Sequence, residues 1–294
     1  MQKGILAVIV CACLLVPAVA SAENIARDYI PAPPGTVLSL LYWNHITSNS
    51  AYANGNKVAD IDFSANVGLW REVYYFQVGP FQAAADFIVP FGNKSLSNPD
   101  DSASGVGNPI LLGTLWLLNR PSCKSYLAFS PYFFLPLGQY NNNGLSMADN
   151  RWTFREEANF TQGFEVLPNH NAYIEVTVSG DFYTSNNNFG PNGTTQTQNP
   201  LFNVESHLSY DLTKDWWIAA DFYGRWGGAQ SFDQFSGINK TNVQALGGTL
   251  AYNLTPGWQV LFQYRGDVAT QNGALTQTFL ARILYATDFG KFTH

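Results

Sequence analysis

The chain has 294 residues with a formal net charge of −6, and only 12% of them are charged while 15% are aromatic. A soluble domain usually carries about 25% charged residues, and one this poor in charge should be markedly apolar, yet mean hydropathy is close to zero at −0.09. The acidic balance excludes a basic footprint for nucleic acid, and past residue 22 no run approaches the roughly 18 apolar residues of a membrane helix. A wall that alternates lipid-facing apolar with lumen-facing polar residues averages to such values.

The N-terminus reads as a cleaved secretory leader over residues 1–22: Lys3, an apolar run from Gly4 to Val19, then Ala20-Ser21-Ala22 before Glu23. Cys11 and Cys13 fall inside it as ordinary core residues, so Cys123 stands alone and no internal disulfide is expected. Residues 23–35 form a Pro-rich segment that either threads the lumen as a small plug or hangs in the periplasm. The remainder, 36–294, reads as one barrel domain.

Period-2 alternation recurs along the rest of the chain. It predicts about twelve strands, near 36–47, 60–71, 73–90, 106–118, 125–137, 151–166, 171–184, 201–212, 216–227, 241–253, 257–269 and 275–289. In the second, Ile61, Phe63, Ala65, Val67 and Leu69 face one way and Asp60, Asp62, Ser64, Asn66 and Gly68 the other. Read as half lipid and half lumen, such strands place their polar faces inward. The connections alternate in length. Long polar ones are expected at Ser48–Ala59, Gly92–Gly105, Gln139–Asn150, Ser185–Pro200 and Gly228–Lys240. Tight ones are expected about Glu72, and at Asn119–Lys124, Leu167–Asn171, Thr213–Asp215 and Leu254–Gly257. Long loops outside and short turns in the periplasm are the pattern of a transmembrane antiparallel up-and-down β-barrel. Tyr74, Tyr75, Tyr126, Tyr173, Trp216, Trp217 and Trp258 follow short turns and form a candidate periplasmic girdle.

Several ordered segments carry a resemblance. They include Arg27-Asp28-Tyr29-Ile30-Pro31, Tyr52-Ala53-Asn54-Gly55-Asn56-Lys57-Val58, Ser104-Gly105-Val106-Gly107-Asn108-Pro109-Ile110, Phe134-Leu135-Pro136-Leu137-Gly138 and His207-Leu208-Ser209-Tyr210-Asp211-Leu212-Thr213. With them the sequence resembles the family of outer-membrane proteins named for the meta-cleavage pathway of phenol degradation. The resemblance implies a Gram-negative outer-membrane location and a part in aromatic-compound breakdown, read as uptake, and it brings no catalytic residues.

Glu175, Glu205, Asp221, Arg225, Arg265 and Arg282 are the candidate lumen-lining residues. They are read either as a mixed-charge ladder that holds strand register or as a polar constriction that selects what passes. Asp62 joins the polar faces expected to point inward. Pro90 and Pro136, each placed near the outer end of an upgoing strand, are candidates for a lateral opening, because proline removes a ladder donor; Pro80, Pro109 and Pro131 add further interruptions. His207, with Ser206 and Ser209 beside it, is the nearest approach to a lipid-modifying barrel enzyme, but no nucleophile elbow appears. One cysteine and scattered histidines have no metal-ligand spacing. The expected protein is therefore a channel or transporter for small, aromatic or hydrophobic molecules. The alternative is a non-conducting structural barrel whose loops bind a partner. Expected partners are outer-membrane lipid and the solute, with no nucleic acid and no cofactor; nothing in the sequence sets an oligomeric state.

Overall fold

The structure, a computed structural model, describes residues 23–97, 100–232 and 235–288. The leader read over 1–22, with Cys11 and Cys13, and the tail 290–294 lie outside the described residues. The fold is a closed antiparallel barrel of twelve wall strands. They are β1 (Thr36–Ala53), β2 (Asn56–Val78), β3 (Phe81–Ser97), β4 in two pieces (Asp100–Val106 and Ile110–Arg120), β5 (Ser125–Phe134), β6 (Thr153–Leu167), β7 (His170–Tyr183), β8 (Leu201–Asp211), β9 (Trp216–Gly227), β10 (Thr241–Thr255), β11 (Trp258–Thr270) and β12 (Gln277–Asp288). Each pairs with its chain neighbours. Closure comes from β1 against β12, in register from Thr47↔Gln277 to Val37↔Thr287, so every wall strand has two partners and no edge faces lipid.

The first connections differ from the expectation. Ser48–Ala59 is not a long loop: β1 and β2 continue and meet at Asn54–Gly55, whose φ values of 51° and 79° supply the left-handed pair of a tight hairpin turn. Glu72 is not in a turn either. It lies within β2, opposite Ser39 on one side and Phe87 on the other, and the turn comes at Gly79–Pro80, so Pro80 caps a hairpin and does not interrupt a strand. Arg71-Glu72 reads as a polar break, but in a strand adjacent charges point to opposite faces and each finds its own partners. Gly92–Gly105 is likewise mostly strand, with Gly92↔Gly105 in register.

The other long connections are also structured. Residues 186–198 fold back as a hairpin, strands Gln230–Phe232 and Phe235–Ile238 pair with each other, and the two pairs join through Gln196↔Phe232 and Gln198↔Gln230 into a four-stranded extracellular sheet. The connection 135–152 turns inward at residues 145–148: Leu145 and Met147 are buried, the Leu145 N–H donates to Asp101 at 2.6 Å, and Lys94 Nζ donates to the Ser146 carbonyl at 2.7 Å.

The alternation of β2 is inverted relative to the reading. Ile61, Phe63, Ala65 and Val67 are buried inside the barrel with Leu96 and Leu145, and Asp62 points outward, accepting from Ser97 Oγ at 3.2 Å. The reason is height. Extracellular of the rung Trp43–Gly68–Phe91, the outer face reads His45–Asn66–Asn93 and then Thr47–Ser64–Ser95, so β1 to β3 rise out of the bilayer and their outer surface meets water. The aromatic girdle splits for a related reason: Tyr74, Trp216 and Trp258 are exposed, whereas Tyr75, Tyr126 and Trp217 are buried inside as a floor. Adjacent residues of a strand cannot share a face.

Candidate functional site

Residues 23–35 run up the lumen from the periplasmic end. The sequence makes this segment compact without making it a helix: prolines at 31, 33 and 34 bar regular pairing, and a turn over 25–30 is closed by Asp28 N–H to the Ile25 carbonyl at 3.1 Å and Ile30 N–H to the Arg27 carbonyl at 3.2 Å. Ile25, Ala26 and Tyr29 pack on the inward floor of Tyr75, Trp116, Tyr126 and Trp217. Arg27 holds a left-handed φ of 74°, a conformation that costs a non-glycine residue on the order of 1–2 kcal/mol. Several contacts offset that cost. Its N–H donates to Glu175 at 2.7 Å, Nε donates to Ser209 at 3.0 Å, NH1 pairs with Asp211 at 2.7 Å, and the guanidinium lies over the rings of Tyr173 and Trp217.

The other polar side chains of the segment also meet wall groups of matching chemistry. Asn24 gives its N–H to Glu205 at 3.0 Å and its amide nitrogen to Glu157 at 2.9 Å, and its carbonyl accepts from the Tyr223 hydroxyl at 3.1 Å. Asp28 accepts from Arg282 at 2.7 Å and faces Arg71 at 3.6 Å. The Tyr29 hydroxyl donates to Glu157 at 2.5 Å; burial, reinforced by that carboxylate, raises it well above its ordinary value, so it stays a donor. Glu23 pairs with Arg265 and, at 3.9 Å, with Arg225.

The six residues read as a ladder therefore do not form one. Glu175, Glu205, Arg225, Arg265 and Arg282 each contact the segment itself. Asp221 supports them from behind, pairing with His207 at 2.7 Å and accepting from Thr249 at 2.6 Å and Gln263 at 3.1 Å. Strand register had suggested wall-to-wall pairing, but what joins these strands is a chain segment that crosses them all. Nothing in the alternation pattern marks Asn24, Arg27, Asp28 and Tyr29 as site residues; the signal the sequence offers is three charged residues in a short Pro-rich stretch.

The lumen has two unlike walls. On β6 to β9 the inward residues include Arg155, Glu157, Glu175, Asp181, Glu205, His207 and Asp221, all buried. On β1 to β3 and β12 the inner surface is largely apolar, with Tyr42, Val67, Leu69, Ile88 and Leu280 facing Asn24, Gln263 and Arg265 across a cavity of about 60 Å³. That space is far smaller than the roughly 300–1,000 Å³ of a ligand pocket. Pro90 lies fully buried within β3, opposite Leu69, and its carbonyl accepts from Gly107 at 2.8 Å. Pro136 is not in the wall: β5 ends at Phe134, and Pro136 belongs to the inward-turned connection. His207 has no serine partner among the described residues, since Ser209 accepts from Arg27 and Ser206 points the other way.

Comparison with known proteins adds the family. The crystal structure of the COG4313 outer membrane channel from Pseudomonas putida F1 matches with a TM-score of 0.85 and 24% identity over 90% of this chain and 100% of that one. The transport unit of the autotransporter AIDA-I from Escherichia coli matches with a TM-score of 0.50 and 8% identity over 97% and 98% of the two chains. These likenesses show the fold of an outer-membrane barrel. No curated protein matches the sequence. The family model described as "Putative MetA-pathway of phenol degradation" matches residues 47–283; the chain belongs to that family of outer-membrane β-barrels.

Proposed function

We propose that the protein is an outer-membrane channel for small aromatic or hydrophobic molecules linked to phenol breakdown, and that it is not an enzyme. The observation that carries this reading is the asymmetry of the lumen: a largely apolar surface borders the cavity, while Glu157, Glu175 and Glu205 hold the segment from the other side and Asp28 anchors it to Arg71 and Arg282. When residues 23–35 shift, the space opened lies along Tyr42, Val67, Leu69 and Ile88, and apolar surface released from contact favours an apolar or aromatic solute. The family's association with phenol degradation and the outer-membrane channel named among the similar folds support the same reading. We place the lateral exit, if the solute leaves through the wall, at the β3–β5 sector, where Pro90, Pro109 and Pro131 remove ladder donors, with Pro136 bordering it. The glutamates and arginines of the site act as tethers of the segment and set what passes only once it has moved.

The test is entry of phenol and of a sugar of similar size into liposomes holding the refolded protein, with the leak of protein-free liposomes subtracted. Faster entry of phenol alone is expected. Entry of neither into liposomes with folded protein overturns the channel reading in favour of a non-conducting barrel whose loops bind a partner.

A further inference from the structure

Among the described residues, the outer surface of the barrel wall carries two carboxylates in its membrane band, those of Glu72 and Glu156. The two differ in one respect. Both oxygens of Glu72 are occupied, by Ser39 Oγ at 2.7 Å and by the indole N–H of Trp70 at 2.7 Å. Glu156 is exposed and has no hydrogen bond or ion pair among the described residues. A bare carboxylate turned toward hydrocarbon is costly, and at this position nothing in the chain offsets it.

The surroundings of Glu156 are apolar, and the Phe182 ring lies over Gly180 beside it. Its cross-strand neighbours are Pro131 on β5 and Gly180 on β7, a ring that cannot donate and a residue with no side chain. Beyond them stand Phe129, Phe133, Phe182 and Phe202, each between 41% and 49% exposed. The outer tryptophan Trp152 lies on the same face of the chain, two alternations toward the extracellular end. The carboxylate thus sits below the interfacial aromatic level, at a depth reached by lipid chains.

We propose that Glu156 is the head-group site for a membrane-resident amphiphile bearing a protonated primary amine, with the phenylalanines holding its ammonium and the first carbons of its tail. An ammonium matches one carboxylate plus electron-rich ring faces. Neither a magnesium or calcium ion, which takes six or more oxygen ligands, nor zinc, which takes four ligands drawn largely from His and Cys, fits a site that offers one carboxylate. A second copy of the chain does not fit either: among the described residues, no outward-facing cation lies in the membrane band to pair with it. The proposal concerns the outside of the wall and stands apart from whether the lumen conducts.

Native mass spectrometry of the refolded protein in detergent micelles, titrated with dodecylamine or dodecanol, tests it, and folding is checked by heat-modifiable gel migration. Wild type and Glu72→Gln are expected to retain one dodecylamine. Glu156→Gln, a near-isosteric change, should weaken retention by about tenfold or more, the loss of one charge-assisted pair, and dodecanol should not be retained by any of them. Equal retention by wild type and Glu156→Gln, equal loss in Glu72→Gln, retention of dodecanol alongside the amine, or no retention by wild type each overturns the proposal.

Discussion

The inner faces of β6 to β9 and of β1 to β3 are drawn from the same alternating pattern but solve different problems. On β6 to β9, buried carboxylates exceed buried cations: Glu157, Glu175, Asp181, Glu205 and Asp221 face Arg155 and His207. Asp181 and Asp221 find partners on the wall itself, but Glu157, Glu175 and Glu205 are met by donors brought from outside it, namely the N–H groups of Asn24 and Arg27, the Asn24 amide and the Tyr29 hydroxyl. On β1 to β3 the inward residues are mostly apolar and need no such donors. The carboxylates Glu157, Glu175 and Glu205 therefore depend on residues 23–35 for donors, whereas the apolar residues of β1 to β3 border the segment and only Arg71 and Arg282 on that side meet its Asp28 as an ion partner. A buried group left without its partner costs more than the pair gains, so each wall should respond differently to perturbation.

The most severe way to break the comparison is to delete residues 23–35. Permeation into liposomes should rise several-fold and become cation-selective, because the carboxylates of β6 to β9 are then exposed to the passage; unchanged conductance would mean that the segment does not close the lumen. Arg282→Ala removes a buried cation from Asp28 and should destabilise the protein by about 3–5 kcal/mol, read as a lower urea midpoint. Ile88→Ala, on the apolar wall, should cost about 2 kcal/mol in the same assay. It should slow phenol more than sugar, whereas Arg282→Ala should raise the entry of both. Asp62→Asn should sharpen the contrast from below: its side chain lies outside the barrel, so stability should stay within about 0.5 kcal/mol and permeation should not change. A selectivity change in Asp62→Asn would place that residue in the passage and contradict the register of β2.

What is legible in the sequence follows from local constraints. Alternation at period 2 in stretches such as Trp216 to Phe222 marks membrane strands because one face must be apolar in lipid whatever lies on the other. The same rule misassigns Ile61 to Leu69, since above the bilayer the wet side is the outside. Asn54-Gly55 was a readable hairpin signal inside a stretch whose polarity suggested a loop, and Glu72 imitates a turn because a charge in a strand is unusual. The chain by itself thus determined the barrel, its approximate strand count, its Gram-negative outer-membrane setting and the family. Only the tertiary structure decided that residues 23–35 occupy the lumen, that Glu175, Glu205, Arg225, Arg265 and Arg282 hold them, and that Glu156 is left bare on the outer wall. Those facts depend on which groups meet across separations such as 254 residues between Asp28 and Arg282, and periodicity carries no information about such meetings.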